Sequence, residues 1–202
     1  MGRGFFIVLE GIDGAGKTTQ ARLLGRALKE RGYRVVLTRE PSAGPQGVKL
    51  RRYLRGPSRH LKPAEELEMF LADRREHVRE VIKPALAAGS LVISDRYYYS
   101  SVAYQGALGI DPAAILALNQ AFAPEPDLVV VLTLPVPAAL ARRSQGRGAP
   151  LQVSETSDYL EKVAAIYAGL NAPWIHRVEA AGTPAEIHAR ILRLTLEALG
   201  ES

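Results

Sequence analysis

Residues 11–18 read Gly-Ile-Asp-Gly-Ala-Gly-Lys-Thr, a full G-x-x-x-x-G-K-[ST] string between the apolar run 5–9 and a helical pattern over 17–31. That setting constrains the fold more than the string does. A strand delivers the chain to a tight turn where Gly11, Gly14 and Gly16 let backbone N–H groups point inward. The helix N-terminus behind the turn adds its positive dipole end, so a polyphosphate meets many donors at once. Lys17 is expected to reach the β- and γ-phosphates, and the Thr18 hydroxyl to ligate Mg²⁺. The expected ATP-binding set is Gly11, Ile12, Asp13, Gly14, Ala15, Gly16, Lys17, Thr18 and Thr19. A glycine-rich turn that binds nothing is the plainer alternative. Strand, loop, Lys and Thr in one register favour the nucleotide.

Short apolar runs at 5–9, 34–38, 91–94, 128–134 and, more weakly, 175–178 alternate with helical patterns at 17–31, 47–55, 64–88, 112–122, 136–144, 155–171 and 184–199. The runs Val35-Val36-Leu37 and Val129-Val130-Val131-Leu132 do not alternate in polarity, as expected of parallel strands buried on both faces. The reading is an α/β chain, a parallel sheet wrapped by helices, in a single domain over 1–202. Gly146 and Gly148 loosen the segment between two helical patterns, and Arg142, Arg143 and Arg147 cluster there. A segment at about 142–153 is therefore expected to be an arginine-bearing lid, with an ordinary exposed loop as the alternative.

Composition narrows the partners. No apolar run approaches the roughly 20 residues of a membrane span, and the first residues lack the pattern of a secretory signal. A cytoplasmic protein with no membrane partner is expected. With no cysteine there is no disulfide and no thiolate metal site, and the four histidines have no ligand spacing. Net charge is +5, mostly from arginine, whose planar fork suits phosphates. The run Arg51, Arg52, Arg55, Arg59 could be a polyanion patch, but a solvated helix face is the expectation, and no nucleic-acid partner is expected.

An acceptor pocket is also legible. In the 64–88 helix the apolar face runs Leu67, Phe70, Leu71, Val78, Val81, Ile82 and Ala85, and position 74 on that face is Arg. A buried guanidinium needs an anion, a carbonyl or a cavity. Phe70 lies one turn before it, and a ring beside a fixed donor suits a nucleobase. The alternative is a salt bridge from Arg74 to Asp73 or Glu76 at the helix rim. The buried run 91–94 ends on Asp95-Arg96, and 34–38 ends on Arg39-Glu40. Open parallel sheets bind ligands at the carboxyl ends of their strands, so these charges should share one crevice. Asp95 is placed to hold Mg²⁺ through water, with Thr18, and Arg96 to grip a phosphate.

Taken in order, Glu10-Gly11-Ile12-Asp13-Gly14-Ala15-Gly16-Lys17-Thr18-Thr19, Thr38-Arg39-Glu40-Pro41, Phe70-Leu71-Ala72-Asp73-Arg74-Arg75-Glu76-His77, and Asp95-Arg96-Tyr97 through Ala103-Tyr104-Gln105-Gly106 resemble the bacterial thymidylate kinases, P-loop nucleoside monophosphate kinases. The last two motifs are the most specific. The resemblance implies a five-stranded parallel sheet, usually in a homodimer, that converts ATP and dTMP to ADP and dTDP with Mg²⁺. It assigns the thymine to Phe70, Arg74 and Gln105, the acceptor phosphate to Arg39 and Arg96, and the 3′-hydroxyl to Asp13. Tyr104 would crowd a 2′-hydroxyl, and Ser100 and Ser101 line the same pocket. Relatives with a neutral phosphate loop take a catalytic arginine from the lid, here Arg143 or Arg147, to act with Lys17 and Arg96. Where many relatives carry Asp-Arg-x-Glu after the lid, this chain reads Pro150-Leu151-Gln152-Val153.

An acceptor that is already an anionic phosphate needs no general base, so positioning and charge neutralisation should carry the chemistry. Two rivals remain at this point. A deoxynucleoside kinase would need a carboxylate to activate a 5′-hydroxyl, and Glu40 could serve. A non-catalytic P-loop module would bind nucleotide without transferring phosphate.

Overall fold

The protein is described here from a computed structural model, which covers residues 4–56, 60–145 and 157–201. Five strands, β1 (Phe5–Glu10), β2 (Val35–Arg39), β3 (Leu91–Asp95), β4 (Leu128–Thr133) and β5 (Ile175–Glu179), form one all-parallel sheet in the order β2-β3-β1-β4-β5. The three inner strands are the ones without polar alternation. Ile7, Val8 and Leu9, Val92 and Ile93, and Val129 and Val130 are fully buried because helices cover both faces. The edge strands β2 and β5 are half exposed.

The helices are α1 (Lys17–Glu30), α2 (Pro45–Leu54), α3 (Pro63–His77), α4 (Lys83–Ala87), α5 (Tyr98–Gly106), α6 (Pro112–Gln120), α7 (Val136–Gln145), α8 (Ser157–Gly169) and α9 (Pro184–Ala198). Proline opens α2, α3, α6 and α9, where its missing N–H costs nothing. Asp111 caps α6 through the Ala113 N–H, and Thr183 with Glu186 forms a capping box on α9.

Two helix expectations need correction. The 64–88 pattern is one continuous run, but Val78–Ile82 widens into a π turn in which the Lys83 N–H reaches the Val78 carbonyl. The widened turn sits directly before Pro84, which has no N–H to continue the regular ladder. The second correction is α5, which the sequence did not signal. Its residues Tyr98 to Ala103 are all buried, so there is no apolar stripe to read. Of the lid segment, residues 146–156, including Arg147, lie outside the described residues, as do the side chain of Arg143 and residues 57–59 with Arg59. Among the described residues no helix is long and apolar enough to cross a membrane.

Register brings the strand ends level. Arg39 pairs with Asp95, and Asp95 with Leu9, so β2, β3 and β1 present their carboxyl ends in one row. The phosphate loop leaves β1 at that row.

Candidate active site

The loop after β1 closes tightly because glycine is required there. Gly14 has φ +87°, and a Cβ on it would come within 2.3 Å of the Ala139 carbonyl oxygen in α7. Gly16, φ +94°, turns the chain into α1 with no side-chain cap, which leaves the first N–H groups of that helix aimed at the turn. Lys17 Nζ donates to the carbonyls of Gly11 (2.9 Å) and Ile12 (2.8 Å). Burial, reinforced by Arg96, pushes the Lys17 amine down to about 8, against the pull of Asp13, Asp95 and Glu10.

A cleft of about 400 Å³ opens over this loop, lined by Asp13, Lys17, Thr18, Arg39, Asp95 and Arg96, among others. Gly14, Gly16 and Thr19 also face it, as do Arg51, Arg55 and Arg142. The solvated-face reading of this arginine run is corrected at Arg51, which is half-buried; Arg52 and Arg55 are exposed, Arg55 at the cleft, and Arg59 lies outside the described residues. Arg51 is aimed by donating to the carbonyls of Pro41 (2.7 Å) and Ser42. Thr18 Oγ1 donates to Asp95 Oδ2 at 2.5 Å. That pair offers only oxygen, which suits a Mg²⁺ that takes one or two protein ligands and keeps its waters and phosphates.

Arg96 is built with strain. Its φ is +74°, a left-handed conformation for a residue with a Cβ. Its N–H donates to Leu9 O (2.9 Å), and its own carbonyl accepts from Ser94 Oγ (2.7 Å). Its guanidinium donates to Asp13 Oδ1 (2.5 Å), Ser100 Oγ (2.9 Å) and Tyr104 Oη (3.3 Å), and its Cζ lies 5.1 Å from the centre of the Tyr104 ring. The Asp13 N–H in turn donates to Tyr104 Oη. Phosphate loop, Arg96 and α5 are therefore one hydrogen-bonded unit.

Glu10, quoted but given no role from the sequence, anchors that unit. Wholly buried, it accepts from the N–H groups of Tyr97 and Ser100, from Ser100 Oγ (2.6 Å) and from Tyr167 Oη (2.8 Å). Burial pushes its carboxyl up, opposed by those donors and by Arg96. The available signal was an acid ending an otherwise apolar buried strand.

Arg74 is 1% exposed, and its partner is neither Asp73 nor Glu76. Its Nε and Nη2 both donate to Glu40 Oε2 (2.9 and 2.5 Å), and Nη1 donates to Ser101 Oγ (3.1 Å) and Asn119 Oδ1 (2.7 Å). Asp73 instead accepts from the N–H and Oγ of Ser42, and Glu76 from the Gln46 N–H, which ties α3 to the loop after β2. Both oxygens of Glu40 are taken, by Arg74 and by His77 Nδ1 (3.1 Å). Burial would raise the Glu40 carboxyl, but Arg74 and His77 outweigh it and hold it below the usual range. An ion-paired carboxylate of that kind is a poor base, which removes the support for a deoxynucleoside kinase. Phe70 is half-buried one turn before Arg74. Gln105 is fully buried and donates to Glu66 (3.1 Å), and like Phe70, Arg74, Ser100, Ser101 and Tyr104 it lies behind the residues that line the cleft of about 400 Å³.

Lys17, Arg39, Arg51, Arg55, Arg96 and Arg142 make the cleft cationic, which suits phosphorylated ligands. A family model described as thymidylate kinase matches residues 9–191. Similar proteins named thymidylate kinase include one from Xanthomonas campestris, 49% identical over 88% of this chain and 76% of that protein. Another, from Xanthomonas oryzae, is 50% identical over the same shares. A third, from Desulfotalea psychrophila, is 45% identical over 88% of this chain and 87% of its own length. The matched span runs from the end of β1 into α9 and so takes in every strand end that builds the cleft: the chain belongs to the thymidylate kinase family.

Proposed function

We propose that this chain transfers the γ-phosphoryl group of ATP to dTMP, giving ADP and dTDP. The observation that carries the reading is that Lys17 and the phosphate loop share one cleft with Arg39, Arg51 and Arg96. The phosphate loop and Lys17 suffice for a nucleotide donor; an acceptor that brings its own phosphate gives the cationic side of the cleft, Arg39, Arg51 and Arg96, an anion to hold. Lys17 bears on the transferring group, and Arg39, Arg51 and Arg96 hold the acceptor phosphate. Thr18 and Asp95 would hold Mg²⁺. Bound there, the ion would neutralise negative charge on the phosphates. Asp13, fixed by Arg96 and Tyr104, receives the 3′-hydroxyl, and Tyr104 fills the 2′ side. Phe70 stacks on thymine and Arg74 reads a ring carbonyl, with Ser101 beside it. The lid, a homodimer and a cytoplasmic location complete the reading.

A coupled ADP-release assay over a panel of nucleoside monophosphates tests it. dTMP should be the best acceptor, thymidine inert and the ribonucleotide poor. Turnover of thymidine, or ADP release independent of any monophosphate, would sink the proposal.

Replacing Phe70 with Ala should remove stacking worth about 1–3 kcal/mol and raise KM for dTMP, with KM for ATP unchanged. Equal weakening of both ligands in calorimetry would contradict the base-stacking role. In the lid, Ala at the responsible one of Arg143 and Arg147 should lower kcat by about 10²-fold or more, with KM for dTMP little changed. If neither single variant nor the double one moves kcat beyond a few-fold, the lid covers the site without catalysing.

A further inference from the structure

Asn119 lies near the C-terminal end of α6, fully buried, and belongs to none of the motifs that carry the family resemblance. Its amide is oriented unambiguously. Nδ2 donates to the Ile115 carbonyl of its own helix at 2.7 Å, and Oδ1 accepts from Arg74 Nη1 at 2.7 Å. Flipping the amide would set donor against donor at the guanidinium and oxygen against oxygen at Ile115. Ile115, one turn earlier, packs with Leu67 and Leu71 of α3 and Val102 of α5, so the bracket stands on a rigid base.

Arginine has five N–H donors in one plane. Glu40 takes two of those on Arg74, and Ser101 and Asn119 take one each, which leaves one N–H on Nη2. Both bonds to Glu40 end on a single oxygen, Oε2, so Glu40 alone is a pivot about which the fork could rock. Ser101 Oγ is a rotatable hydroxyl. Asn119 Oδ1, held by its own helix, is the fixed stop on the other side.

We propose that Asn119 is a positioning residue for base selection: it locks the plane of the Arg74 guanidinium so that the remaining N–H meets a carbonyl on the acceptor base. This rests on the reading that Arg74 faces the base. An arginine can only donate. Thymine offers a carbonyl at ring position 4 where cytosine offers an amino group, so a locked fork favours dTMP over dCMP. A fork free to rock discriminates less.

The test is the ratio of kcat/KM for dTMP to that for dCMP in four variants of the full chain: Asn119→Ala, Asn119→Leu, Asn119→Asp and Arg74→Met. Asn119→Ala and the near-isosteric Asn119→Leu should narrow the ratio about tenfold and raise KM for dTMP, leaving KM for ATP unchanged. Asn119→Asp keeps the acceptor for Arg74 but sets an oxygen against the Ile115 carbonyl and loses that anchor, so its ratio should fall between those of the parent and Asn119→Ala. If the ratio in Asn119→Ala and Asn119→Leu stays at the parental value while Arg74→Met collapses it, Arg74 reads the base without Asn119 and the proposal is overturned. If Arg74→Met leaves the ratio unchanged, the base-reading role itself is wrong. Losses shared equally by ATP and dTMP would make Asn119 a packing residue only, which also overturns the proposal.

Discussion

Lys17→Ala should reduce turnover by about 10³-fold while the fold survives. The amine lies in the cleft wall, and its two hydrogen bonds go to carbonyls of its own loop, so no distant element hangs on it. Its depressed affinity for protons says the same thing in another form: burial makes the free cation costly, and a bound polyphosphate would repay that cost. The sign then fixes the pH behaviour. Without nucleotide the amine loses its proton near pH 8, so kcat/KM for ATP should fall above about 8. With ATP bound, the phosphates favour the charged amine, and the falling limb of kcat should move to higher pH. Activity profiles from pH 6 to 10, with melting temperatures of parent and variant, check both statements. An active Lys17→Ala, or two limbs at the same pH, would remove Lys17 from the transferring phosphate.

The parts of this site that are local in sequence are legible in it. A phosphate loop needs only its own residues and the strand before it, and the inner strands announce themselves because Val129 to Leu132 have no solvent face. What resists reading is made by contacts across the chain. Arg74 is visible as a misfit on an apolar face, but Glu40 lies 34 positions away and Asn119 45 positions away, and no periodicity links them. Helix α5 is invisible for a related reason. Tyr98, Tyr99, Ser100 and Ser101 are indifferent helix formers, and its first turn is held by Glu10, 87 positions before Tyr97. Arg51 was read as solvated because charge runs on helices usually are, whereas the carbonyls of Pro41 and Ser42 turn it inward.

The buried pair at the centre of that network sets the last expected result. Glu40→Gln keeps the shape of the side chain and removes the charge opposite Arg74, which is 1% exposed. An uncompensated buried guanidinium should cost about 3–5 kcal/mol of folding stability. The same substitution weakens the contact with His77 Nδ1, whose Nε2 meets Thr38 Oγ1 at 2.7 Å on β2, so the loss spreads from α3 into the sheet edge. Linkage gives the sign of the pH effect. The folded carboxyl binds its proton less readily than the unfolded one, so the contribution is complete above the unfolded value of about 4.3 and disappears as pH falls through the lower, folded value. Denaturant titrations at pH 7 should show the full gap between parent and Glu40→Gln, and the gap should close on acidification below about pH 4 as the parent loses the same charge. The variant should also bind dTMP more weakly, since Arg74 loses the two bonds that set its pivot. A gap at pH 7 of less than about 1 kcal/mol would mean that the guanidinium finds water or another partner. The ion pair would then be a passenger in the core, and its removal should leave dTMP binding intact.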